Sequence, residues 1–289
     1  MPPGSLSDVD AAVGRGPTLR AMDHNMDAAP GREFGEEGAR LTYGTYLRLP
    51  QLLSQQLPES DPPAHDELLF ITIHQVYELW FQQLLFELEG AREAMLQGRL
   101  AWARHLLRRV ATIEDVLVRQ VAVIETMTPQ DFLEFRHRLA PASGFQSVQF
   151  RELEFVSGHK DPAFLQRFRG LTQDERARLE RRLGEPTLWD AYLTVLERAG
   201  LPVGEEDAVR AALLAVARDR LRFAEPWELA EGLIEHDEQQ AAWRSRHVAM
   251  VERQIGTKSG TGGSSGAPYL RSRLELRFYP LLWELRGAL

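Results

Sequence analysis

The chain has 289 residues, of which 44% are hydrophobic, a net charge of −8 and no cysteine. That length holds one large domain or two small ones, and the acidic balance argues against non-specific nucleic-acid binding, which needs a basic face. The missing thiols exclude disulfides, thiolate ligands, iron–sulfur clusters and covalent c-type haem attachment, so any soft metal or haem iron must use histidine.

No stretch of about 20 residues is apolar enough to span a bilayer, and the N-terminus has no apolar signal core. A soluble cytoplasmic protein is therefore expected. Residues 1–38 are rich in Gly, Pro, Asp and Ala and show no sustained period, which predicts a poorly ordered tail before a domain covering 39–289. In Leu41 to Leu49, the residues Tyr43, Tyr46 and Leu47 share one helical face. Such spacing alone serves packing more often than binding. The prolines between Gln55 and Pro63 then break the pattern.

From Asp66 to Gly98 the sequence reads as a helix apolar nearly all round, a pattern that belongs in an interior. His74 stands in it, one turn after Phe70. A long amphipathic helix is predicted for Leu100 to Met127. Thr128-Pro129-Gln130-Asp131 is a helix start, with a capping hydroxyl, proline at the first position and an acid at the third. It places Phe132, Phe135, Arg136 and Leu139 on one face. Arg136 on that apolar stripe either snorkels to solvent or offers a planar fork to a carboxylate, a contact worth roughly 1.5–3 kcal/mol.

Pro141 to Gly144 reads as a turn and Phe145 to Val156 as a helix. Residues 161–221 hold shorter scaffold helices, one opened by a Thr172–Glu175 capping box. The helix beginning at Pro226 carries Leu229, Leu233, Gln240, Trp243, His247, Met250 and Val251 at three- and four-residue steps, so His247 lies on its apolar stripe. A lone histidine there is ordinarily a core residue bonded to a carbonyl, because an unpaired buried imidazole costs roughly 1–3 kcal/mol. Here, however, the helix runs into the glycine- and hydroxyl-rich stretch Gly256 to Gly266, which leaves bare amides and mobile chain beside it. A Walker loop is excluded, since Thr257 and not glycine precedes Lys258 and a helix leads in. One or two helices, broken at Pro280, close the chain from Pro268 to Arg286. With no long alternating runs and no repeat, the expected fold is all-α, a single large helical-bundle domain.

Glu134-Phe135-Arg136-His137 is the only Glu-x-x-His pair, where a ferritin-like di-iron site needs two. His236 shares a face with His247, but no third zinc ligand is evident. Haem b asks for one axial histidine, an apolar pocket and a polar distal group, and fits better.

The segments Leu41-Thr42-Tyr43-Gly44-Thr45-Tyr46-Leu47, His65 to Gln75, Phe135-Arg136 through Ser143-Gly144-Phe145-Gln146-Ser147, Trp243-Arg244-Ser245-Arg246-His247 and Gly260 to Gly266 closely resemble the tryptophan 2,3-dioxygenase family. The match covers nearly all of residues 40–289, in the family's order and spacing. It implies a haem b enzyme that inserts both atoms of O2 across the C2–C3 bond of the indole of L-tryptophan, giving N-formyl-kynurenine, the first step of the kynurenine pathway. By motif, His247 resembles the axial iron ligand and His74 the distal histidine that accepts from the indole N–H. Arg136 would clamp the substrate carboxylate. Thr261, in a loop that orders over substrate, would hold the ammonium and carboxylate ends. Phe70 and Phe132 would line the pocket, with Ser143 and Gly144 near haem or substrate. Some relatives carry tyrosine at Phe132, so a hydroxyl contact is absent here. The family also implies a homotetramer in which Tyr43, Tyr46 and Leu47 complete a neighbour's pocket. A non-catalytic haem-binding or sensor protein on the same scaffold is the competing class.

Overall fold

Two helices of 32 residues and one of 25 carry the architecture. In this computed structural model the described residues are 41–167 and 170–289. The tail expected over residues 1–38 lies outside them. The chain divides into two units, one ending at Gln55 and the other running Gln56–Leu289.

In the first unit the single helix expected around Tyr43 is instead two one-turn helices, α1 (Tyr43–Tyr46) and α2 (Leu49–Leu52). Thr42 and Thr45 cap the start of α1 reciprocally. Arg48 ends it by adopting the left-handed conformation at φ 52°, uncommon outside glycine. Pro50, which favours a first helical turn, then starts α2.

The second unit contains α3 (His65–Leu96), α4 (Leu100–Ile124), α5 (Pro129–Arg136), α6 (Val148–Ser157), α7 (Ala163–Arg167), α8 (Gln173–Gly184), α9 (Leu188–Arg198), α10 (Glu206–Arg218), α11 (Ala224–Ile255), α12 (Ala267–Arg271) and α13 (Pro280–Leu285), with short 3-10 turns at Gly144–Gln146 and Arg286–Ala288. The described residues are helical and contain no strand, as the sequence pattern predicts. None of their helices is long and apolar enough to cross a membrane.

Helix α4 packs along both α3 and α11. Leu84, Leu88, Ala91 and Met95 of α3 meet Leu107, Val110 and Leu117 of α4 and Leu229 and Leu233 of α11 in one fully buried core. Each such leucine contributes about 1.5–3 kcal/mol through burial. The expectation of an α3 buried all round needs correction. Leu68, Leu79 and Phe86 fall on one side and are 48–71% exposed, so α3 has an uncovered apolar face.

Polar pairs fix α11 against its neighbours. His236 Nδ1 lies 2.7 Å from Glu114 Oε1 of α4, and its Nε2 lies 2.8 Å from Ser157 Oγ of α6. Gln240 donates to the same Glu114 oxygen at 2.7 Å. Asp237 Oδ2 accepts from the Phe278 amide and the Trp283 indole, each at 2.9 Å, and anchors the C-terminal segment. These contacts fix the middle of α11, two to three turns before His247.

Candidate active site

A cavity of about 300 Å³ opens among α3, the C-terminal end of α4, α5, α6 and α11, with the glycine-rich loop along one side. That volume is at the small end of ligand-sized sites. It is lined by Phe70, His74, Phe132 and Arg136, by Ser143 and Gly144, and by His247 and Thr261. All the site residues expected in the second unit therefore converge. Tyr43, Tyr46 and Leu47 belong to the first unit, where they are exposed.

His247 is brought in by the long register of α11. Trp243, one turn earlier, stacks on its ring at 5.0 Å and 6°. Burial pushes the His247 pKa down to about 4, and the nearby His74 lowers it further in the same direction. Among the described residues neither ring nitrogen of His247 makes a hydrogen bond. The carbonyl partner of an ordinary core histidine is missing, and the neutral ring, which lines the cavity, keeps an unbonded acceptor nitrogen.

His74 differs in one respect. Its Nδ1 lies 2.7 Å from the Phe70 carbonyl. A carbonyl can only accept, so Nδ1 carries the proton and Nε2 is left as an acceptor. Desolvation lowers the His74 pKa, opposed by that carbonyl and by the Glu78 carboxylate, so the ring stays neutral. The imidazole lies within the body of the domain yet is accessible, because it faces the cavity.

The Thr128–Asp131 capping box starts α5 as the sequence predicts, with the Asp131 amide donating to Thr128 Oγ1 at 3.2 Å. This start sets the angle of Phe132, whose ring stacks on Phe70 at 5.4 Å, while Phe135 packs edge-on against both. Arg136 ends the helix half-buried and donates through Nη2 to the Ser259 carbonyl of the glycine-rich loop. Thr261 Oγ1 donates to the Ala142 carbonyl at 2.5 Å. Glycine is required where this loop passes the wall, since a Cβ on Gly262 would come within 2.6 Å of Ser143 Cβ. At Gly266, φ is +70° and a Cβ would meet the Lys258 carbonyl at 2.6 Å.

Sequence reasoning missed several lining residues. Tyr77, Phe81 and Phe150 extend the apolar wall, and Arg151, Glu154, Arg244 and Arg273 supply charge. Only Arg244 left a signal, standing one turn before His247 on the same helix. Among the described residues no three His, Asp or Glu side chains cluster as ligands for a bare ion.

A profile of the tryptophan 2,3-dioxygenase family matches residues 26–207 and 202–289. The chain belongs to the tryptophan 2,3-dioxygenase family. It is 68% identical to a tryptophan 2,3-dioxygenase of a Nocardioides species over 260 residues, 89% of this chain and 97% of that one. A tryptophan 2,3-dioxygenase of Herpetosiphon aurantiacus is 47% identical, with 86% of this chain and 98% of the relative aligned. One from Serratia proteamaculans is 42% identical, over 86% and 92%. The residues present fit the haem that this tryptophan 2,3-dioxygenase membership implies: an unpartnered, neutral imidazole stands in an apolar cavity, with a second imidazole and a guanidinium on the same walls.

Proposed function

We propose that the protein is a haem-dependent tryptophan 2,3-dioxygenase, which converts L-tryptophan and O2 to N-formyl-L-kynurenine. The observation that carries the reading is a neutral, unpartnered His247 sharing one apolar cavity with an acceptor His74 in a chain of this family. The indole C2–C3 double bond is cleaved, and one oxygen atom becomes the ketone and the other the formyl oxygen. All atoms of both reactants are kept, so no external reductant is consumed.

His247 would hold the iron of haem b, and the haem, when bound, would supply the activation of O2. The protein's own residues orient the substrate. His74 Nε2 accepts the indole N–H, and an analogue without that N–H leaves the nitrogen unpaired. Phe70 and Phe132 flank the ring, and Ser143 and Gly144 border it. The Arg136 guanidinium takes the carboxylate, replacing its bond to Ser259, while the Thr261 hydroxyl meets the amino-acid end. The Thr261 contact, made from within the glycine-rich loop, keeps that loop over the substrate and excludes water.

The protein acts in the cytoplasm as a homotetramer. Tyr43, Tyr46 and Leu47 complete a neighbouring subunit's pocket, a role supported by exposures of 77%, 70% and 40%. The uncovered face of α3 supports self-association in the same way. The test is to load the protein with hemin, reduce it and mix it with O2 and L-tryptophan. N-formyl-kynurenine is the expected product. A haem-bound protein that forms none is a sensor or carrier instead.

A further inference from the structure

The cavity carries more positive charge than its own carboxylates pair. Arg151 of α6, Arg244 of α11 and Arg273, which follows α12, all line it. Glu154 serves two of them, pairing with Arg151 and lying 3.7 Å from Arg273. Arg244 has no ion pair among the described residues, and its one hydrogen bond runs from Nη2 to the Leu276 carbonyl at 2.8 Å. It is only 5% exposed, and its Nε and Nη1 lack partners. Arg151 is 8% exposed, and its Nε is likewise unpartnered, with the Phe145 and Phe164 rings 5.2 and 4.8 Å from the guanidinium carbon. Arg273 Nη2 rests against His159 Nε2 at 2.8 Å, and its Nε too has no partner.

Buried charges are normally paired, because removing them from water is costly. Asp237 and Glu154 both act on Arg244 from a distance, yet three guanidiniums against two carboxylates, with four donor nitrogens left without partners, call for a further anion. The substrate carboxylate is assigned to Arg136, which bonds the Ser259 carbonyl of the glycine-rich loop and none of these three arginines or their partners. Guanidinium is the side chain best matched to carboxylate oxygens.

We propose that Arg151, Arg244 and Arg273 bind the two carboxylates of the porphyrin, so that the haem is held by its acidic edge as well as by His247. This rests on the haem-dependent reading above. The position of Arg244, one helical turn before His247, makes α11 the element that grips both iron and periphery. Glu154 then acts as a positioning residue, keeping Arg151 and Arg273 turned together.

The test uses hemin and hemin dimethyl ester, which present the same iron and macrocycle with and without the negative charges. Each is titrated into the full-length apoprotein by its Soret band, and its release to excess apomyoglobin is timed. The unaltered protein should hold hemin at least about tenfold longer than the ester. Arg273→Met and Arg151→Met should each shorten hemin retention several-fold and leave ester retention unchanged. Arg273 is the safer of these for folding, being partly exposed, and far-ultraviolet circular dichroism checks both. Equal retention of hemin and ester by the unaltered protein, or variants that lose both to the same degree, would overturn the assignment. Failure of the unaltered protein to take up either compound would instead sink the haem reading itself.

Discussion

Arg136→Met keeps the aliphatic length at the end of α5 and removes every donor. In the free protein that guanidinium bonds the Ser259 carbonyl, so substrate binding exchanges one partner for another. A bidentate pair of charge-assisted bonds contributes about 3–6 kcal/mol, from which about 1 kcal/mol is subtracted for releasing a neutral carbonyl. The side chain is half-buried, and solvent screening selects the low end, a net of about 2 kcal/mol. That is about 30-fold in kcat/KM. The assay compares L-tryptophan with tryptamine, which has no carboxylate, on both proteins. The variant should lose about 30-fold on L-tryptophan and less than about threefold on tryptamine. If both substrates fall by the same factor, Arg136 works only by tethering the loop at Ser259, and its assignment to the carboxylate is refuted.

His74→Ala should keep its haem, because the iron ligand is His247, yet lose about 10-fold or more in kcat/KM when the indole N–H has no acceptor; unchanged turnover would remove His74 from the site. Gly262→Ala places a Cβ against Ser143 and should raise KM several-fold with hemin uptake unaltered, whereas an unchanged KM would mean that the loop leaves this wall during turnover. Burial, aided by Arg273 against the opposing Glu154, holds the His159 pKa below its usual 6.5. The unfolded chain then binds that proton first, so this contribution to stability is complete above about pH 6.5 and declines as the pH falls below it. Denaturant midpoints of His159→Gln should accordingly fall less between pH 7 and pH 5 than those of the unaltered protein, and parallel curves would contradict the shift.

The long helices were legible because their apolar periods persist over many turns, which fixes α3, α4 and α11 to within a few residues. Short elements were less so. Nothing in the pattern showed that Arg48 would turn left-handed and split α1 from α2. Ser147 accepts from the Phe150 amide at 3.2 Å and starts α6 after a separate 3-10 turn, where periodicity alone predicts one helix from Phe145. At the site, His247 and Arg136 stood out as polar groups on apolar stripes. His236 sends the same signal and is structural, since α4 and α6 bring Glu114 and Ser157 to its two nitrogens. What separates two such histidines is the presence or absence of partners from other helices, which one helix's sequence does not carry. The Arg151–Arg244–Arg273 group was hidden for the same reason, because its members come from three segments that only the fold brings together. The proton position on His74 likewise became readable only from the Phe70 carbonyl at 2.7 Å.

The α11 imidazole is the proposed grip on iron, and hemin titration of His247→Ala tests this most directly. The unaltered protein should bind one hemin with the Soret spectrum of imidazole ligation. The variant should fail to retain it until free imidazole is added to fill the vacated position. A His247→Ala protein that binds hemin with unchanged affinity and spectrum would contradict the account.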